Sequence, residues 1–234
     1  MTVAAVLLDV GGVFVLPDSA TLLPIVERCG AARATLEDLA KGHYAGIAAM
    51  DRSALAKGVT ADWKAYNTAL AECVGIPADR RAEAVDALSQ AYASVPWSQI
   101  VPGTVDALRR LADTGVALGI VSNSNGTVEE QLLTSRICQV GAGEGVPVAV
   151  VLDSYVVGVE KPHPGIFERA LSTLGVSAAD AIHVGDTGWA DIAGARAAGV
   201  RPVHLDPHGF CPIADDHEHV RNLDEVVDLV IASS

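Results

Sequence analysis

Residues 3–12 read VAAVLLDVGG. The run from Val3 to Leu8 is apolar at every position. A short stretch without polar alternation reads as a β-strand buried on both faces, the kind a parallel sheet requires. It stops at Asp9, and Gly11-Gly12 supply a turn directly behind the acid. Further along, strand-like runs recur at 116–121, 148–152, 181–185 and 201–205. Helical periodicity separates them. A helix opens at Pro102-Gly103, with Val105, Leu108 and Leu111 as its apolar face, and stops at Gly115. Others are expected at 126–134, 164–174, 189–198 and 223–231. Strands alternating with helices of this length predict an α/β fold, a doubly wound parallel sheet of Rossmann-like type. Between the first strand and the rest, residues 17–97 show helical periodicity and almost no strand signal. Candidate helices there are 20–29, 36–40, 52–57, 61–74 and 78–93. The expected organisation is a core domain of residues 1–16 and 98–234, with a small helical domain, 17–97, inserted after strand one.

The composition narrows the function. Of 234 residues, 50% are hydrophobic and 19% charged, and 16 Lys+Arg against 29 Asp+Glu give a net charge of −13. A chain this acidic is a poor ligand for nucleic acid or anionic membranes. The insert holds eight basic and ten acidic residues, so most of the excess acid belongs to the core. Cys29, Cys73, Cys138 and Cys211 are widely spaced and form no CxxC pair, which argues for reduced thiols rather than a zinc ribbon or redox dithiol. The first basic residue is Arg28, and Asp9 interrupts the early apolar run, so the N-terminal stretch lacks the pattern of an export signal. No uninterrupted apolar stretch reaches transmembrane length. A cytoplasmic protein, monomer or homodimer, is expected.

In open α/β sheets ligands bind beyond the carboxyl ends of the strands. The residues found there are Asp9 with Gly11-Gly12 after the first strand, Ser122-Asn123 after the second, Lys161-Pro162 beyond the third, and Gly185-Asp186 after the fourth, with Asp191 five residues later. Singly, each reads as a cap, a turn or a solvated side chain. Their joint occurrence at strand ends points to a site. Three carboxylates at one sheet edge repel one another unless a cation sits among them, and hard oxygen donors point to Mg²⁺. A lysine and a hydroxyl beside such an ion form a cradle for phosphate.

With these residues in place, the sequence resembles the haloacid dehalogenase superfamily, in its Mg²⁺-dependent phosphatase branch with a small inserted helical cap. The resemblance is carried by VLLDVGGVFV at 6–15, VPGTVDALRRLADTGVALGIVSNS at 101–124, VVGVEKPHPGIFERAL at 156–171 and IHVGDTGWADIAGARAAGV at 182–200. It implies a phosphohydrolase acting on a small phosphorylated metabolite. Asp9 matches the nucleophile that forms an aspartyl-phosphate. Ser122 and Lys161 match the catalytic hydroxyl and lysine, and together with Asn123 and Gly12 they would bind the phosphoryl group. Asp9, the Gly11 carbonyl, Asp186 and Asp191 would hold or support Mg²⁺. Residues 17–97 would form the cap that selects substrate.

One position departs from the family pattern. Gly11 stands where family phosphatases usually carry a second Asp, whose side chain protonates the leaving group. The backbone carbonyl survives and the general acid does not. Two rival readings follow: a 2-haloacid dehalogenase, in which Asp9 attacks carbon without a metal, and a non-catalytic protein that keeps the fold for binding or regulation.

Other signals read as structural. Residues 204–219 hold His204, Asp206, His208, Cys211, Asp215, Asp216, His217, Glu218 and His219, but their spacing matches no standard zinc pattern, and a polar connection between the last strand and last helix is expected. His163 reads as a turn residue and Trp189 as a packing residue. In the insert, His43, Tyr44, Arg52, Trp63, Lys64, Tyr66 and Asn67 are candidates for substrate contact, each more readily an ordinary helix residue.

Overall fold

The computed structural model describes residues 2–58, 61–213 and 216–233. In chain order the elements are β1 (Ala5–Leu8), β2 (Val15–Pro17), α1 (Ser19–Arg28), α2 (Leu36–Lys57), α3 (Trp63–Cys73), α4 (Arg81–Tyr92) and β3 (Trp97–Ile100). There follow α5 (Thr104–Asp113), β4 (Ala117–Ser122), α6 (Val128–Thr134), β5 (Cys138–Val140), β6 (Val146–Val148), β7 (Val150–Asp153) and α7 (Ser154–Val157). The chain ends with α8 (Pro164–Leu174), β8 (Ala181–Gly185), α9 (Ala193–Ala197), β9 (Arg201–Leu205), β10 (Glu218–Val220) and α10 (Leu223–Ala232). Two compact units result. One comprises residues 1–14, 101–207 and 214–234, the other 15–100 and 208–213. Residues 208–213 group with the second unit, whereas the sequence reading keeps all of 98–234 in the core.

The first unit is built on a six-stranded sheet in the order β10-β9-β8-β1-β4-β7. Its strand pairs are parallel. β1 lies in the middle, and all four of its residues are fully buried, as its unbroken apolar run predicts. Leu7 and Ala5 pack with Ile166, Phe167, Ala170 and Leu171 of α8 and with Ala195 of α9. α8 carries its apolar residues at helical spacing and ends at Gly175 in the left-handed region, where a residue without Cβ costs least. α5 packs against α10. The expected polar connection at 206–222 contains a sixth strand, β10, which the sequence reading missed because three residues are too few to show a period.

The second unit is helical, with one short antiparallel pair, β2 and β3, also missed in the sequence. Its core includes Leu22 and Val26 of α1, Tyr66 and Leu70 of α3, and Leu88 of α4. The two helices expected at 36–40 and 52–57 are one continuous helix, α2. Thr35 and Asp38 form a reciprocal capping box at its start, and Gly58 ends it in the left-handed conformation. Gly42 and Gly46 lie inside this helix. They are places of close approach: a Cβ at Gly46 would fall 2.5 Å from the Tyr66 ring, and one at Gly42 3.2 Å from Leu70. Helix α3 packs into the space these glycines leave.

A lysine and carboxylate site at the carboxyl ends of the strands

β8, β1 and β4 are neighbours in the sheet, so the loops leaving their carboxyl ends converge. Asp9 follows β1, and its amide donates to the Val184 carbonyl of β8 at 2.9 Å, continuing the ladder one residue. Ser122 ends β4 with its side chain buried. Asp186 directly follows β8 and is buried. Gly12 adopts φ +68°, and a Cβ there would meet an Asp186 carboxylate oxygen at 1.9 Å. Any side chain at this position would displace the acid, so Gly12 is required by both conformation and contact.

Lys161 is the centre of the arrangement. Its side chain is 1% exposed, and its Nζ lies 2.6 Å from Asp191 Oδ1 and 2.9 Å from Asp9 Oδ1. Asn123 holds it from behind: its Nδ2 donates to the Lys161 carbonyl at 2.9 Å, and its Oδ1 accepts from the Lys161 amide at 2.8 Å. The Asn123 side chain, expected to face phosphate, is thus engaged by the lysine's backbone. Asp191 comes from a π turn, Gly188–Ile192, that precedes α9. Its Oδ1 accepts from Lys161 and from His183 Nε2 at 2.8 Å, and its Oδ2 accepts from the Thr187 amide at 3.0 Å. A Cβ at Gly185 would lie 2.1 Å from the Asp191 carboxyl carbon, so that glycine leaves room for the acid.

The charges are strongly coupled. Burial pushes the Asp9 carboxyl up; Lys161 draws it back, Asp191 and Asp186 push it further, and it settles at about 7. Burial opposes charge on Lys161 too, but Asp191 and Asp9 more than offset it, so its pKa stands above the ordinary value. Asp191 is held well below the carboxylate range despite its burial, by Lys161 and by the hydrogen bond from His183. Burial lowers the His183 pKa, so its ring is neutral and donates through Nε2.

Carboxylate oxygens of Asp9, Asp186 and Asp191 lie within 4.8 Å of one another. The buried Asp9 Oδ1 receives no well-aligned hydrogen bond, although Lys161 Nζ is near. Three acids, one cationic side chain and an imperfectly satisfied buried oxygen fit a hard divalent cation such as Mg²⁺. Asp9 and Asp186 could hold it. Both oxygens of Asp191 already serve protein donors, which suits a supporting role.

Sequence reasoning missed three residues here. His183 occupies a strand position that reads as generic core; its one signal is being polar inside an apolar run. Asp153, at the end of β7, accepts from the amides of Gly126 at 2.9 Å and Val128 at 3.3 Å, and so shapes the loop after Ser122. Ser154 accepts from the Ser124 amide at 3.1 Å. His163 caps α8, accepting from the Gly165 amide at 3.0 Å, and Trp189 is half-buried in the π turn. In the helical unit His43, Tyr66 and Asn67 are interior. His43 Nδ1 is 2.8 Å from the Tyr66 hydroxyl, which is 3.0 Å from that of Tyr92; Asn67 donates to Ser89 at 3.0 Å. These residues build the unit's own core.

The haloacid dehalogenase-like hydrolase family matches residues 3–199, and the chain belongs to it. Among curated proteins it is 33% identical over 143 residues to a phosphoserine phosphatase of Thermus thermophilus, covering 61% of this chain and 53% of that one. It is 36% identical over 104 residues to a glyceraldehyde 3-phosphate phosphatase of Pyrococcus abyssi, covering 44% and 41%. The chain thus spans about half the length of these curated relatives. Among solved structures, a 2-haloacid dehalogenase from Pseudomonas syringae aligns over 100% of both chains with TM-score 0.57 and 22% identity. A hydrolase of the same superfamily from Bacillus subtilis, bound to magnesium, aligns over 98% and 99% with TM-score 0.59 and 20% identity. At these identities the structures speak for the fold alone. No helix among the described residues is long and apolar enough to cross a membrane.

Proposed function

We propose that the protein is a Mg²⁺-dependent phosphohydrolase acting on a small phosphorylated metabolite, with Asp9 as nucleophile. The observation that carries this reading is the buried Lys161 ammonium, 2.9 Å from Asp9 and 2.6 Å from Asp191. Asp191, His183 and Asn123 hold Lys161 beside the attacking carboxylate. A bound Mg²⁺ supplies positive charge that lowers repulsion between carboxylate and phosphate. An Asp9 oxygen attacks phosphorus in line as the bond to the ester oxygen breaks, giving an aspartyl-phosphate and an alkoxide. With Gly11 lacking a side chain, the alkoxide takes its proton from water, which favours good leaving groups. Water then attacks the acyl phosphate, releasing inorganic phosphate and restoring Asp9. Ser122 and the Lys161 ammonium bind phosphoryl oxygens throughout. The helical insert, residues 17–97, acts as the cap that selects substrate. The curated relatives named as phosphatases support this class of reaction; the substrate itself follows from none of them.

The test is turnover of a panel of phosphate esters with Mg²⁺, and after strong chelation. Asp9→Asn is expected to lower kcat by at least about 10⁴-fold, the order seen when a reacting group is removed. Undiminished activity in that variant would falsify the proposal. Chloride release from a 2-haloacid that survives chelation would establish the dehalogenase reading instead. Metabolite binding with no turnover of any ester would establish a binding protein.

A further inference from the structure

His204, His217 and His219 come together by strand geometry. β9 and β10 are parallel neighbours, and His219 is the register partner of His204. Side chains two apart along extended chain share a face, which brings His217, just before β10, to the same side. The ring centroids lie 5.3 Å apart for His204 and His217, 5.2 Å for His204 and His219, and 4.4 Å for His217 and His219. One ring nitrogen from each falls within 4.8 Å of the others. The His217 side chain is fully buried, His204 is buried, and His219 is partly open to solvent.

The hydrogen bonds fix where the lone pairs point. His204 Nε2 is 2.9 Å from the Asp186 carbonyl oxygen, which can only accept, so Nε2 carries the hydrogen. His217 Nδ1 is 3.1 Å from Asp216 Oδ1. The same Asp216 oxygen accepts from Arg196 Nη2 at 2.6 Å, so it too is an acceptor. In neutral rings the remaining nitrogens, His204 Nδ1 and His217 Nε2, then present lone pairs to each other, and they are 3.1 Å apart. That contact is repulsive unless a cation or a proton is shared. Two nitrogens on a tetrahedral zinc ion, each about 2.0–2.1 Å from the metal, stand about 3.3 Å apart. A metal-ligating histidine typically donates its other ring N–H to a backbone carbonyl or a carboxylate, which is the pattern at His204 and His217. Asp206 Oδ2 lies 3.8 Å from His219 Nδ1, within reach of the same role for the third ring.

We propose that His204, His217 and His219 form a second metal site, for a zinc-like first-row divalent cation, separate in donor chemistry from the carboxylate site. Imidazole nitrogens suit Zn²⁺, Co²⁺ or Ni²⁺ and not Mg²⁺. The hydrogen bond from His204 to the Asp186 main chain ties this site to the loop that carries Asp186 of the carboxylate site.

The experiment is Zn²⁺ titration by calorimetry in excess Mg²⁺, on the full chain carrying Asp9→Asn and Asp186→Asn so that the carboxylate site is disabled. Co²⁺ absorption spectra report ligand type. One Zn²⁺ per chain is expected, with Co²⁺ bands of a nitrogen-rich site. His217→Gln and His219→Gln, added separately, should each weaken binding at least about hundredfold, while far-UV circular dichroism of the zinc-free variants stays unchanged. If His217→Gln misfolds, His219→Gln, at a partly exposed position, decides. Zinc binding undiminished in His219→Gln overturns the site. So does the absence of zinc binding, with ¹⁵N chemical shifts showing an imidazolium at His204 or His217, which would mean that a proton alone is shared.

Discussion

At the scale of the residue, reactivity turns on how burial and charge are matched around Asp9. Its carboxyl stands at about 7 against an ordinary 3.8. Between these values the folded protein holds a proton that the unfolded chain has released, so the metal-free fold loses stability as pH rises from about 4 to about 7. Asp9→Asn removes this penalty. The melting temperature of the metal-free variant should match wild type near pH 4 and exceed it increasingly toward pH 8, as followed by differential scanning calorimetry. Gly11 sets a second residue-scale expectation. General acid help is worth roughly 10²–10⁴-fold, so Gly11→Asp should raise kcat for alkyl phosphates by up to about that factor. Aryl phosphates, whose leaving groups need no proton, should gain little. Equal gains on both classes would show that proton donation does not limit the rate.

At the scale of the element, glycines decide how closely parts approach. Gly46 lets α2 meet the Tyr66 ring, and a Cβ there would intrude to 2.5 Å. Overpacking of this kind costs about 1–3 kcal/mol, against which a gain in helix propensity of about 1 kcal/mol works. Gly46→Ala should therefore lower stability to urea by about 0–2 kcal/mol, where alanine in an exposed helix would raise it. The continuity of α2 across 36–57 was missed in the sequence, and the value of Gly42 and Gly46 within it lies in a neighbour 20 or more residues away, which no local pattern displays. The strand ends were easier to read. Asp9, Ser122 and Asp186 end or directly follow apolar strand runs, so their place at one sheet edge follows from α/β geometry. His183 and Asp153 were not legible, because a lone polar residue in a strand says nothing of the loop residues it meets.

At the scale of the whole molecule, the net charge of −13 sits mostly outside residues 17–97. In the proposed reaction a phosphate ester approaching the core therefore enters an unfavourable field that Lys161 alone, already paired with two acids, does not reverse. The proposed Mg²⁺ supplies the missing charge and binds the folded state alone. By linkage it should stabilise the protein by about 2.7 kcal/mol at a hundred times its Kd, read as a rise in melting temperature that Asp186→Asn removes. An equal rise in that variant would place the ion elsewhere. The sequence by itself determined the α/β class, the succession of the main strands along the chain and the set of acids and lysine near their ends, because hydrophobic period and turn residues are local properties. Only the tertiary structure decided which acid is held ionised and which is pushed toward its neutral form. Asp191 and Asp9 are the same side chain, yet one is held ionised by Lys161, His183 and an amide, and the other is pushed up to about 7. Only the structure, too, brought three histidines from one polar segment onto one face. Such differences arise from contacts between residues far apart in the chain, which no local pattern encodes.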